Sequence, residues 1–136
     1  MKYVDGYVLP VPKKNLAAYR RMALEAAKVW RKHGALEFRE CVGDDLKTIK
    51  VKSFPSIVKP KRGETVVFSW IVYKSRAHRD KVNDKAMKDP QMARMMKTKK
   101  MPFDSSAWSM AASRSWLMPD ALSFSVFVSS FLILNG

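Results

Sequence analysis

The side chains able to do chemistry in this sequence are few and scattered. Its two histidines, His33 and His78, can each act as a general base or hydrogen-bond donor near neutral pH. His33 ends a helical pattern, where the helix dipole favours a cationic ring. His78 falls in the first turn of a second helix, between Arg76 and Arg79. The bland alternative for both is a solvated cap or a structural hydrogen bond. Glu37 and Glu40 lie on opposite faces of a strand, so they cannot work as a paired acid and base there. Glu40 shares its face with Leu36, Phe38 and Val42. A carboxylate on an apolar side acquires a raised pKa or a buried partner. The catalytic candidates are therefore His33, Glu40 and His78, each weighed against a purely structural role. Cys41 has Arg39 two residues away on the same face, a setting for a reactive thiol, but a lone strand cysteine is ordinarily a small core residue. His, Cys and carboxylates show no metal-site spacing, and there is no Gly-rich phosphate loop. No metal and no cofactor are expected.

Two further groups suit binding. Phe68, Trp70 and Tyr73 sit on one strongly apolar strand and can contact a small apolar ligand or simply pack the core. Lys47, Lys50, Lys52, Lys59, Lys61 and Arg62 form one basic cluster, and Lys85, Lys88, Arg94, Lys97, Lys99 and Lys100 form another. Such clusters suit a phosphate backbone. Met87, Met92, Met95, Met96 and Met101 lie beside the second cluster and suit an adaptable partner surface. A solvated basic face with methionines packed beneath it is the plainer reading. No nucleic-acid-binding motif accompanies the charge, so nucleic acid is an alternative partner and not the favoured one.

The elements that must position these residues follow from periodicity. Residues 3–11 read as a strand with Pro10 at an edge or terminus. Asn15 is placed to cap a helix whose apolar face carries Leu16, Tyr19, Ala23, Ala26, Ala27 and Trp30, with Gly34 as its stop. Residues 36–42 read as a second strand. Residues 46–63 form a basic excursion, with a short strand expected at 47–53. Residues 65–73 are apolar on both sides and read as a central strand. Ser75 caps a second helix that Pro90 stops, and residues 91–100 suggest a short Met-rich helix. A last strand would complete βαββαβ, an α+β fold of split-βαβ or ferredoxin-like type.

Length and composition set the frame. The 136 residues carry 26 Lys and Arg against 12 Asp and Glu, a net charge of +14, and 47% are hydrophobic. That suits one globular domain and excludes a wholly disordered chain. One cysteine excludes an internal disulfide framework. With no apolar run behind Lys2, the reading is cytoplasmic, without a signal peptide. The charge excess lies entirely in residues 1–104, whereas residues 105–136 contain only Arg114 and Asp120 as charged groups and are rich in serine. A break that sharp marks a boundary. The uncharged stretch from Ala121 to Leu134 is shorter than the roughly 20 residues a spanning helix needs, so no membrane partner is expected.

Several segments carry a resemblance to a known family. They are Tyr3-Val4-Asp5-Gly6, Val11-Pro12-Lys13-Lys14-Asn15, His33-Gly34-Ala35-Leu36-Glu37, Glu40-Cys41-Val42, the block from Phe68 to Asp80, and Met101-Pro102-Phe103-Asp104. Over residues 1–104 the chain resembles Domain of Unknown Function 1428, small bacterial proteins. The resemblance implies a ferredoxin-like protomer that forms a homodimeric α+β barrel, and it implies no established activity. In such barrels one sheet face packs on helices and the other encloses a cavity, where Phe68, Trp70 and Tyr73 would contact a small ligand. Some proteins of similar fold oxidise phenols without cofactors, so a monooxygenase-like enzyme is an alternative, as is a basic RNA- or polyanion-binding module. Whether the protein is an enzyme stays open.

After Asp104 the resemblance stops. Written as codons and read from the third base, residues 107–119 can spell Met-Val-Tyr-Gly-Gly-Phe, which fits the family's continuation. The first of those glycines is forced by the Met110–Ala111 junction. The expectation is a domain at 1–104 followed by a frameshifted tail at 105–136, with the last strand replaced or missing. An authentic tail is the competing reading, with Leu122, Phe124, Val126 and Val128 alternating with serines as a half-buried strand would.

Overall fold

A computed structural model describes residues 1–98 and 100–116. Four strands, β1 (Tyr3–Pro12), β2 (Glu37–Val42), β3 (Glu64–Tyr73) and β4 (Ser109–Arg114), alternate with helices α1 (Leu16–Lys32), α2 (Phe54–Val58), α3 (Arg76–Met87) and α4 (Pro90–Thr98). The sheet order is β2-β3-β1-β4 with every neighbouring pair antiparallel. This is the ferredoxin-like βαββαβ arrangement.

Alternation along the strands decides what the helices cover. Leu9, Val11 and Val67 pack with Tyr19 and Ala23 of α1 and with Phe103 in one core cluster. Ile71 and Tyr73 pack with Ala35 and with Val82 of α3 in another. The residues between them in sequence, Val8, Phe68 and Trp70 among them, face the opposite side of the sheet. There α2 folds back, and Phe54 meets the Phe68 ring at 5.7 Å, which in turn meets Trp70 at 5.3 Å.

Ser75 caps α3 as its sequence suggests, its side chain accepting from the His78 amide, and Gly34 ends α1 with a φ of +113°, where glycine is favoured. Other expectations change. Asn15 makes no side-chain cap; its Nδ2 donates 2.9 Å to the Pro102 carbonyl instead. Residues 47–53 form no strand, because Ser53 and Pro55 start the one-turn helix α2. Pro10 lies in a strand that is central, between β3 and β4, but β4 pairs only as far as Val8. The missing proline N–H therefore falls where that side of β1 is already open.

The last strand is present, and residues from the atypical tail supply it. Ser109–Arg114 pairs with β1 from Val8 to Tyr3. The alternating segment at 122–128 lies outside the described residues.

Candidate functional site

The structure holds a cavity of about 390 Å³ on the helix-covered side of the sheet, within the range of small-molecule sites. Tyr7 and Ile71 come from the two central strands, with Phe38 and Glu40 from β2. Tyr19, Met22, Ala26 and Trp30 of α1 face them at helical spacing, and Asn83 of α3 closes one end. The segment after α4 contributes Met101, Phe103 and Trp108. The rings form a continuous wall. Tyr7 stacks on Trp108 at 5.3 Å, Trp108 meets Phe103 at 5.8 Å, and Phe103 meets Tyr19 edge-on at 5.7 Å. Of the nine methionines in the sequence, seven line this cavity: Met22, Met87, Met92, Met95, Met96, Met101 and Met110. Unbranched thioethers adapt to irregular shapes and are polarizable, so this wall can reshape around a guest. A shallower groove of about 460 Å³ between α1 and β2 shares Tyr19, Phe38 and Glu40 with the cavity and adds Arg20 and Leu24.

Polar groups cluster at two places. At the first, the Tyr19 hydroxyl donates to Glu40 Oε2 at 2.8 Å, and the Ser69 hydroxyl also bonds this carboxyl. Apolar neighbours push the Glu40 carboxyl above its ordinary value, against the opposing pull of those two hydrogen bonds. Because β2 is an edge strand, Glu40 keeps solvent exposure, and the cavity reaches water beside it. The Tyr19 hydroxyl is raised above its usual range by burial and by the adjacent carboxylate. At the second place, Asn83 Oδ1 accepts from Trp30 Nε1 at 2.9 Å and from the Tyr73 hydroxyl at 3.0 Å. Behind it lies Asp5, fully buried, which accepts from Arg79 Nε at 3.1 and 2.9 Å through its two oxygens. Burial, followed by the Asp5 charge, pushes the Tyr7 hydroxyl up to about 12.

Of the three catalytic candidates, the cavity takes only Glu40. His33 Nε2 meets Asp89 Oδ2 at 2.7 Å, and Lys32 Nζ reaches the same oxygen at 2.9 Å. Those contacts tie the end of α1 to the start of α4. His78 Nδ1 accepts from the Lys74 amide at 3.1 Å, and its other ring nitrogen lies 3.1 Å from where a Cβ on Gly34 would stand. Both histidines are thus engaged in holding elements together.

Phe68 and Trp70 do not line this cavity: strand alternation turns them to the other sheet face, opposite Ser69 and Ile71, the face to which the barrel resemblance assigns a cavity. Tyr73 faces the helices but is sealed in the core with no exposure. Cys41 is exposed on the far face, where Arg39 approaches Glu37 at 3.8 Å. The five methionines read as an adaptable surface are all in the wall. Tyr19, Phe38, Asn83, Phe103 and Trp108 were not singled out from sequence as site residues. Shared faces of α1 and β2 signal the first two; the others arrive through long-range packing. Among the described residues, no group of three or more His, Cys, Asp or Glu is placed to hold a metal, and no helix is long and apolar enough to cross a membrane.

Strand order and helix placement define an α+β protein of ferredoxin-like topology. The chain belongs to the family described as Protein of unknown function (DUF1428), whose profile matches residues 2–105. It is 46% identical over 104 residues to the uncharacterized protein YbaA of Escherichia coli strain K12, covering 76% of this chain and 87% of that one. The same figures hold for YbaA of Shigella flexneri. Among solved structures, Rv0793 from Mycobacterium tuberculosis aligns at a TM-score of 0.48 and 12% identity, covering 89% of this chain and 99% of that one. A dimeric ferredoxin-like protein from an uncultured marine organism aligns at 0.47 and 13%, covering 88% and 98%.

Proposed function

We propose that this protein binds a small, largely apolar molecule in the cavity between the sheet and its helices. The observation that carries the reading is the cavity wall: a run of stacked rings and seven thioethers, interrupted by a few polar groups. Apolar walls supply the affinity, and sparse polar groups fix orientation. The reading is one of binding, and it replaces the Phe68, Trp70 and Tyr73 set with residues on the covered face. A screen of aromatic compounds by thermal shift tests it. A ligand at about a hundred times its Kd stabilises the fold by about 2.7 kcal/mol. Ala26→Phe, which fills the cavity from α1, abolishes that shift while leaving the protein folded. A broad screen without any shift removes the reading.

A second reading has its own observation. Lys47, Lys50, Lys52, Lys59, Lys61 and Arg62 are all exposed, and among the described residues none is in a salt bridge. That surface suits a polyanion such as RNA. Binding would weaken steeply with salt, and passage through heparin at low salt without retention dismisses it.

A further inference from the structure

We infer that the cavity takes an organic cation, a small molecule carrying an ammonium group on an apolar body, with Glu40 as counter-charge and the ring wall as its bed. This rests on the small-ligand reading and names the class of ligand.

The chain has a net charge of +14, yet among the described residues the only charged side chain lining the cavity is a carboxylate, Glu40. A site for an anion would be expected to draw on the abundant lysines and arginines. Among the described residues none lines this one. Arg20 stands in the neighbouring groove, and among the described residues no cationic nitrogen lies within salt-bridge distance of Glu40. Glu40 is held in place by Tyr19, at 2.8 Å, and by Ser69. An ionised carboxylate offers about four acceptor sites, so two donors leave capacity for a third.

The rest of the wall suits the same guest. Aromatic faces carry a negative quadrupole that attracts ammonium groups, and Tyr7, Trp108, Phe103 and Tyr19 present rings in sequence from β1 round to α1. Thioethers are polarizable and accommodate varied bodies. A cation that displaces water beside Glu40 also restores the charge balance that apolar neighbours oppose.

The test uses three compounds of one shape with the full chain: para-tert-butylbenzylamine, the matching benzyl alcohol, and the matching benzoate. Calorimetric titration at neutral pH gives each Kd. The amine is expected to bind about tenfold or more tightly than the alcohol, the scale of a hydrogen bond to a charged group. Non-specific attraction to a strongly basic protein would instead favour the benzoate, so the order is discriminating. Glu40→Gln keeps the shape and an acceptor for Tyr19. It should erase the amine's advantage over the alcohol, and circular dichroism with a thermal melt certifies the variant's fold. An alcohol that binds as well as the amine, or an advantage that survives Glu40→Gln, overturns the cation inference and leaves the small-ligand reading standing. If none of the three binds, the cation inference falls, and the small-ligand reading is decided by the broad screen.

Discussion

At the scale of single residues, the buried pair Asp5–Arg79 shows how sharply the two partners of one interaction can differ. The Asp5 side chain has no exposure, whereas that of Arg79 retains 22%. Arg79 can turn to water when abandoned; Asp5 cannot. Arg79→Met is therefore expected to cost about 3–5 kcal/mol, the range for stranding a buried charge, and Asp5→Asn distinctly less. The double variant should recover part of the loss in urea melts. Glu40 gives a pH prediction. Its folded pKa is raised, so the protonated carboxyl favours the folded state. That contribution is full below the ordinary glutamate value of about 4.3 and is lost as pH rises through the folded value. Against Glu40→Gln, the native protein should lose relative stability between acid and neutral pH, modestly because Glu40 keeps solvent exposure. Melts of both at several pH values check the sign. Sequence placed Glu40 on an apolar face correctly. It could not show Tyr19 opposite, because that contact joins a helix to a strand 21 residues away.

At the scale of elements, Asp89 acts as a knot. Its carboxylate takes Lys32, the Gln91 amide and His33, and these hold it far below the usual carboxylate range. Such a group stabilises the fold above its unfolded pKa and loses that effect as pH falls. Asp89→Asn should therefore reduce hydrogen-exchange protection of the Gln91 amide and loosen α4 from α1, and the difference from the native chain should shrink in acid. Legibility at this scale depended on range. Helical spacing from Leu16 to Trp30, the apolar run of β3 and the Ser75 cap were readable because each is local. Asn15 has the residue type of a cap, but its side chain serves a carbonyl 87 positions away. The cavity beneath the helices is not legible in the sequence for a related reason. Alternation says which side chains share a face; it does not say that the helix-covered face keeps an open space, and Phe68 and Trp70 lie on the face away from it.

At the scale of the whole molecule, the sheet face away from α1 and α3, on which α2 packs, carries Val4, Val8, Phe68 and Trp70 and is proposed as the surface on which a second copy pairs. Light scattering after size exclusion should report a dimer, and Trp70→Glu a monomer whose cavity still binds the same ligands. The tail remains proposed as a shift of reading frame after Asp104, and the gene's other frame should spell a Tyr-Gly-Gly-Phe-like stretch. Whatever its origin, Ser109–Arg114 covers one edge of β1. Truncation after Asp104 should bare that edge and raise aggregation, measured as turbidity on concentration. This strand is built from Ser, Met, Ala and Arg, every residue of it exposed, and it lies wholly past the family match. What the lane beside β1 asks of its occupant is a backbone free of proline that can pair with residues 3–8, and no buried side chain. A fold with so undemanding a slot forgives a rewritten ending, and such a gene could lose its original last words and still encode a protein that closes its sheet.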